Sequence, residues 1–176
     1  MGTLGSRPRT PRSRRQAGGQ EGVGVARVEG ETVIRRPVDE VFDYVADERH
    51  EPACNPRMVR SRKVTDGAVG VGTRFEAHMA TRPRPMRMVT ELTGFERPHR
   101  LELRTTSAFA EVRGAMTFVA VDGGTRLRWS WELRPHGALR LAGPVLGWVG
   151  RRQEAATWAA LKELLESGAP SQPAPP

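Results

Sequence analysis

Side chains able to do covalent or metal chemistry are few and scattered in this 176-residue sequence. The single cysteine, Cys54, lacks any motif tying it to a base, and no Gly-x-Ser-x-Gly elbow is present. Zinc-type Cys/His spacing is also missing. The histidines are far apart and are expected at the surface: His50, His78, His99 and His136. We therefore predict neither covalent catalysis nor a metal site, and we expect no cofactor.

Proton-transfer chemistry needs less, namely a pocket acid or base and a cation to hold an enolate. The polar residues that we expect nearest to a pocket are Thr90, Glu91, Arg113 and Arg152. Arg152 falls on the apolar stripe of a predicted helix, where an unpaired charge is costly to bury. It could anchor a carboxylate or phenolate of a ligand. The alternatives are that it snorkels to solvent or forms an ion pair.

Large and adaptable apolar side chains alternate along the predicted strands. Those predicted to contact a ligand, together with Thr90 and Arg152, are Phe75, Met79, Met86, Met88, Met116, Phe118, Trp129, Trp131 and, on the last helix, Trp148. Methionine is flexible and polarizable, so a lining of Met and Trp tolerates varied apolar guests. A packed core is the other interpretation of the same residues.

Seven strands and a long C-terminal helix are predicted to position these side chains. Period-two patterns and turn signals place the strands near 25–34, 58–65, 73–81, 85–96, 100–106, 111–121 and 125–133. A short helix should run from about Val38 to Ala46, with at most a second one in 48–55. After Gly137 a helical period begins, and Pro144 either starts that helix or kinks it. This order indicates an α+β fold with helix packed on sheet.

In the order of its motifs the chain resembles the START-like SRPBCC superfamily, the helix-grip group of polyketide cyclases/dehydrases and small lipid-transport proteins. The matching segments are Ile34-x-x-Pro37-x-x-x-Val41-Phe42-x-Tyr44-Val45-Ala46-Asp47, Asn55-Pro56, Gly70-Val-Gly-Thr-Arg-Phe75, Phe95-Glu-Arg-Pro98-His-Arg-Leu101, Gly123-Gly-Thr-Arg-Leu127 and Leu161-Lys-Glu-Leu-Leu-Glu166. Cys54 departs from the pattern, because an aromatic residue often precedes the Asn-Pro pair. The resemblance implies a curved seven-stranded antiparallel sheet around the long helix, with a cavity between them. It does not fix one activity.

Charge and composition predict one domain between two tails. Residues 1–22 are Arg-rich and expected to be disordered, 23–167 form the domain, and 168–176 are a Pro-rich tail. Part of the net charge of +8 lies in the first tail, while the domain mixes both signs, so nucleic-acid binding is not expected. No export signal fits and there is one cysteine, which indicates a cytoplasmic protein. Residues 137–150 are apolar almost all round and could form a lid, a transient membrane contact or a buried helix start.

Two functions follow as expectations. The first is binding, with transport or sequestration as its purpose, of a hydrophobic small molecule such as a lipid or polyketide. The alternative is a polyketide cyclase/dehydrase-type enzyme that uses acid/base chemistry in the same pocket, so the sequence leaves open whether the protein is an enzyme. A monomer or a homodimer is expected.

Overall fold

The computed structural model describes residues 25–137 and 143–168, and for residues 143–151 the backbone only. The predicted tails lie outside these ranges except for Gly168. The strands are β1 (Ala26–Ile34), β2 (Met58–Lys63), β3 (Arg74–Met79), β4 (Met86–Glu96), β5 (Arg100–Ser107), β6 (Ala110–Val121) and β7 (Gly124–Pro135). The helices are α1 (Val38–Ala46), α2 (Glu51–Cys54) and α3 (Gly143–Glu166), and a 3₁₀ turn, Glu48–His50, joins α1 to α2.

All seven strands form one antiparallel sheet in the order β1-β7-β6-β5-β4-β3-β2. Side chains alternate between its faces, so that β7 buries Leu127, Trp129 and Trp131 and exposes Arg128 and Ser130. Register shifts interrupt β2 and β4, and such irregularities bend a strand. The sheet therefore has an apolar face toward the helices and a polar outer face, as predicted.

The outer face carries arginine–carboxylate pairs. Arg87 lies 2.6 Å from Glu76, and Arg128 lies 2.7 Å from Glu31. Both pairs join neighbouring strands, since Glu76 is on β3 and Arg87 on β4, while Glu31 is on β1 and Arg128 on β7. These arginines are used in local pairs, which agrees with the mixed charge pattern of the domain.

Local sequence determines α1 and the turn after it. Pro37 precedes the helix, and its carbonyl accepts a hydrogen bond from the Val41 N–H at 3.1 Å. Phe42 is fully buried on the inner side. The helix ends at Ala46, and the carboxylate of the next residue, Asp47, accepts from the Arg49 N–H at 3.2 Å and so caps the 3₁₀ turn. This tight connection turns Glu48 toward the interior.

The C-terminal end of α3 is fixed to the end of β1. Arg35 pairs with Glu166 at 3.0 Å, and the Lys162 ammonium donates to the Val33 carbonyl at 2.6 Å. Leu161 is buried between helix and sheet. The last turns of the helix are thus packed on the sheet. The preceding turns of α3 are free to cover a cavity between helix and sheet.

The inward face of α3 differs from the predicted stripe. The apolar period places Arg152 and Ala155 beside Leu161, but both are exposed. Residues three, four and seven positions before Leu161 share its side of a helix, and Glu154 is one of them. Its carboxylate is held by indole N–H groups inside the protein. Pro144 is the second residue of α3 and so begins the helix rather than kinking it.

One part of the interior is tightly packed. The Phe42 ring meets those of Phe95 and Phe118 edge-on, at centroid distances of 5.2 and 5.1 Å. Phe75 and Leu92 are fully buried in the same cluster. Space for a ligand therefore has to lie elsewhere, toward the short helices.

Candidate ligand-binding site

A cavity of about 230 Å³ lies between the apolar face of the sheet and α3, and it is partly open to solvent. This volume is slightly below the roughly 300–1,000 Å³ of sites that hold drug-sized molecules. Its walls come from the end of α1, the 3₁₀ turn, α2, strands β3 to β7 and the middle of α3. The apolar part of the wall is formed by Val45, Met79, Met88, Leu103, Val112 and Met116.

Five residues predicted to contact a ligand line this cavity. They are Met79, Met88, Thr90, Met116 and Trp131. Each occupies an inward-facing position on its strand, so the alternation that predicted them also explains their place. The sequence pattern therefore brings together residues that are up to 52 positions apart along the chain, from Met79 to Trp131.

Four other predicted contacts do not line the cavity. Phe75 and Phe118 belong to the packed part of the core, where their rings are fully buried. Trp129 stacks on Trp158, with centroids 4.7 Å apart. A Cβ at Gly30 would lie 2.4 Å from its ring, so glycine on β1 makes room for this indole. Met86 starts β4 outside the lining. The alternation of side chains predicts which face of the sheet a residue occupies. It does not predict how far along each strand the cavity extends.

The predicted charged residues also lie outside the cavity. Arg152 is exposed and borders a shallow groove beside α2, because it projects from the outer side of α3. Glu91 lies on the outer face of the sheet, 2.9 Å from Arg104. Arg113 is on that face too, 2.6 Å from Glu111. Arg152 therefore does not line this cavity, and the side chain of Trp148 lies outside the described residues.

Carboxyl groups that sequence reasoning missed line the cavity instead, and they belong to Asp47 and three glutamates. This glutamate cluster consists of Glu48, Glu51 and Glu154. Glu154 accepts hydrogen bonds from the indole N–H groups of Trp131 at 3.1 Å and Trp158 at 2.7 Å. The two indoles fix this carboxylate in place. The available signal was helical spacing, since Glu154 precedes Trp158 by four residues.

Burial raises the pKa of two members of the cluster. The pKa of Glu48 lies well above its ordinary value, first because its carboxyl is desolvated and then because Glu51 repels its charge and shares a hydrogen bond with it. Burial also raises the pKa of Glu154, and this outweighs the two indole N–H donors that favour the ionised form. Negative charge in this part of the cavity is therefore poorly compensated.

The same wall carries further titratable groups. His50, expected at the surface, is partly buried here, and its Nδ1–H donates to the Tyr44 carbonyl at 3.0 Å. The two rings stack at 4.4 Å. Burial, followed by repulsion from Glu51 and Glu48, raises the pKa of the Cys54 thiol to about 12. Cys54 therefore stays a thiol at neutral pH and is not a nucleophile.

Hydroxyl groups provide a second polar place in the lining. The Thr90 and Thr105 hydroxyls, on β4 and β5, are buried and lie 2.9 Å apart. Two hydroxyls carry two hydrogens and their mutual bond uses one, so one O–H remains as a donor for another acceptor. A molecule in the cavity thus meets an apolar wall, a hydroxyl pair and the glutamate cluster.

Among residues 25–137 and 143–168, no group of three His, Cys, Asp or Glu side chains has the geometry to hold a metal ion. No helix in these ranges is long and apolar enough to cross a membrane. The chemistry available to the described cavity is therefore apolar contact, hydrogen bonding and proton exchange with carboxyls of raised pKa.

These features define an α+β helix-grip protein with an internal, mostly apolar cavity, and the similarities to known proteins agree. The family described as "Polyketide cyclase / dehydrase and lipid transport" matches residues 25–166, so the chain belongs to this family. This confirms the predicted START-like SRPBCC membership. The search of curated proteins found no match.

Solved structures share the fold at low sequence identity. A Thermus thermophilus protein is 15% identical with a TM-score of 0.69, covering 81% of this chain and 99% of its own. The Zhui aromatase/cyclase of a Streptomyces species is 15% identical with a TM-score of 0.67, covering 82% and 98%. The protein Ara h 8.0201 is 17% identical with a TM-score of 0.57, covering 78% and 99%. These likenesses establish the helix-grip fold and not an activity.

Proposed function

We propose that the protein binds an apolar small molecule of lipid or polyketide type inside the cavity, as a carrier or a sequestering protein. The observation that carries this proposal is the mostly apolar, partly open cavity between the sheet and α3, with polar groups at a few places on its wall. This is the usual construction of a small-molecule site. The family description, which includes lipid transport, supports the same class of ligand. A reducing, cytoplasmic setting suits the buried free thiol of Cys54.

A cavity-filling variant tests this function. Thr157 lines the cavity from the middle of α3, so Thr157→Phe should occupy the space that a ligand needs. Ala155 is exposed on the same helix and does not line the cavity, so Ala155→Phe is the matched control. Native mass spectrometry and thermal shift with a panel of fatty acids, fatty alcohols and aromatic polyketides should show binding to the wild type.

We expect Thr157→Phe to weaken that binding at least roughly tenfold and Ala155→Phe to leave it unchanged. A wild-type protein that stays empty against the whole panel, with no change in melting temperature, would overturn the proposal. Equal binding by both variants would show that any ligand sits outside this cavity.

Acid/base catalysis of the cyclase or dehydrase kind is a second candidate, favoured by the raised pKa of Glu48 and Glu154. One carboxylate could remove a proton from a carbon between two ketones, while a protonated carboxyl donates its proton to the oxygen of a second carbonyl group, whose carbon the new carbanion attacks. A carbon–carbon bond then forms and a hydroxyl replaces that carbonyl. Chromatography with mass spectrometry should detect the cyclised product of a short poly-β-ketone thioester. Product formation unaffected by both Glu48→Gln and Glu154→Gln would exclude this role.

A further inference from the structure

The charge of the cavity wall narrows the class of ligand, provided that the proposed function is correct. Glu48, Glu51 and Glu154 come from three separate elements, the 3₁₀ turn, α2 and α3, and all line the same cavity. After burial, the charges of Glu51, Asp47 and, least of them, Glu154 raise the pKa of Glu48. Three carboxyls brought together in an apolar cavity are unfavourable when ionised unless something compensates them.

Such compensation is missing from the described wall. No lysine or arginine lines the cavity among the side chains that the structure describes. Asp47, which also borders it, shows the contrast, because Arg49 binds its carboxylate at 2.7 Å. Burial acts to raise the pKa of Asp47, yet the hydrogen bonds and charge of Arg49 lower it overall. Among those side chains the glutamate cluster has no arginine or lysine partner, and the donors that bind it are neutral: the Asn55 amide on Glu51 and the two indoles on Glu154.

Aromatic rings flank the same carboxyls. Trp131 and Trp158 both line the cavity and both donate their indole N–H to Glu154. Tyr44 and His50 stack on each other and line the same cavity as Glu48 and Glu51. Carboxylates together with aromatic rings form the surroundings in which proteins hold ammonium groups, because both attract a cation.

We propose that the ligand is an apolar molecule that carries a protonated amine, with its ammonium group at the glutamate cluster. The hydrocarbon part would lie against Met79, Met88 and Met116, where polarizable side chains accept varied shapes. The ammonium supplies positive charge at the glutamate cluster and reduces the repulsion among its carboxylates. A fatty acid or phenolate would instead bring a further negative charge to carboxyls that already disfavour one another's ionisation.

Three ligands that share the same hydrocarbon chain and differ only in their polar group test whether the cavity prefers a cation, a neutral group or an anion. Decylamine, decan-1-ol and decanoic acid, each below its micelle concentration, can be titrated into the full chain at about pH 7.5 by calorimetry. The series is repeated with 2-(1-naphthyl)ethylamine and the matching alcohol, in case a flat ring system fits better. We expect the amine to bind at least roughly tenfold more tightly than the alcohol, and the acid most weakly.

Charge-neutral variants identify the residues responsible. The double variant Glu48→Gln/Glu51→Gln keeps the shape of the cavity, and it should weaken amine binding roughly tenfold or more while alcohol binding changes less than about twofold. Alcohol binding thus also shows that the variant is folded. The outer-face variant Glu132→Gln is the control and should alter neither ligand.

The outcomes distinguish this inference from the function on which it rests. Alcohols or acids that bind as tightly as the amines would overturn the inference and leave the binding function standing. An amine preference that survives in the double variant would overturn it as well. If neither scaffold binds in any form and the broader panel of apolar ligands also fails, the proposed binding function itself is overturned.

Discussion

Glu154 and Glu132 each accept hydrogen bonds from two side chains, yet the pKa values of their carboxyls are shifted in opposite directions from that of an ordinary glutamate. In the cavity, Glu154 binds two neutral indoles, and burial raises its pKa. On the outer face, Glu132 binds the guanidinium groups of Arg134 and Arg27, which lower its pKa. The number of hydrogen bonds is the same. Desolvation and the charge of the donors therefore decide whether the pKa of the carboxyl is raised or lowered.

This difference extends to the two faces of the sheet. Outer carboxylates such as Glu76 and Glu31 have a lowered pKa because arginines on neighbouring strands bind them. They stay ionised and form ion pairs between neighbouring strands. The cavity retains carboxyls whose protonation can change when a ligand enters. Chemistry and recognition are therefore expected on the inner face, although most of the charged residues are on the outer one.

The largest expected effect is on the reactivity of the thiol of Cys54, which lines the cavity. Its pKa of about 12 leaves roughly a thousandfold less thiolate at about pH 8 than an unperturbed thiol has. Reaction with iodoacetamide should therefore be slower in the native protein than in guanidinium by about that factor, or more since Cys54 is buried. Mass spectrometry over time measures both rates.

Glu48→Gln should speed the native reaction, because the charge of Glu48 contributes to the raised pKa of this thiol. The outer variant Glu132→Gln should not change it. Equal rates in native and denatured protein would contradict the burial of Cys54 and weaken the contrast between the two regions.

A smaller effect is expected from removing the two matched carboxyls. Glu154→Ala leaves the indole N–H groups of Trp131 and Trp158 without their acceptor, which should lower the free energy of unfolding by about 1–3 kcal/mol. Glu132→Ala frees two arginines that water can solvate, so the loss should stay below about 1 kcal/mol. Urea denaturation measures the free energy of unfolding of both variants. Losses of equal size would contradict the difference between the cavity and the outer face of the sheet.

The fold was predictable because its signals are local. Turn glycines and alternating residues placed all seven strands close to their observed bounds, and Pro37 with the acidic first turn placed α1. The site was only partly predictable. Alternation found Met88 and Trp131, but the depth of the cavity depends on how Phe42 and its neighbours fill the rest of the core. That packing is non-local and leaves no period in the sequence.

The glutamate cluster escaped prediction for a related reason. Charged residues are normally placed at the surface, and the apolar period passes through Ala155 rather than the adjacent Glu154. A helix turns 100° per residue, so a shift of one residue exchanges a buried position for an exposed one. Glu48 lies in a 3₁₀ turn, whose direction depends on the cap at Asp47. A functional site is where such a rule is expected to fail.

The smallest effect, and the most direct comparison, is the pH dependence of stability. The pKa of Glu48 is raised in the folded protein, so the folded state binds more protons than the unfolded chain above about pH 4.5. Stability from this group is therefore lost as pH rises through the folded pKa. The pKa of Glu132 is lowered, so its contribution is present above the unfolded pKa and is lost as pH falls through the folded one.

Melting temperatures of two isosteric variants between about pH 3 and pH 8 test both signs. The melting temperature of Glu48→Gln should rise relative to that of the wild type as pH increases, and the difference should reach about 2–4 °C near pH 8. Roughly 1 kcal/mol of unfolding free energy produces such a shift in a domain of this size. Glu132→Gln should match the wild type near pH 3 and fall slightly below it at neutral pH, by less because solvent screens an exposed pair. Parallel curves for the two variants would mean that the cavity does not desolvate Glu48, since burial is the main cause of its raised pKa. The inner and outer carboxylates would then be electrostatically alike, and the cavity wall would hold no uncompensated charge to select a cationic ligand.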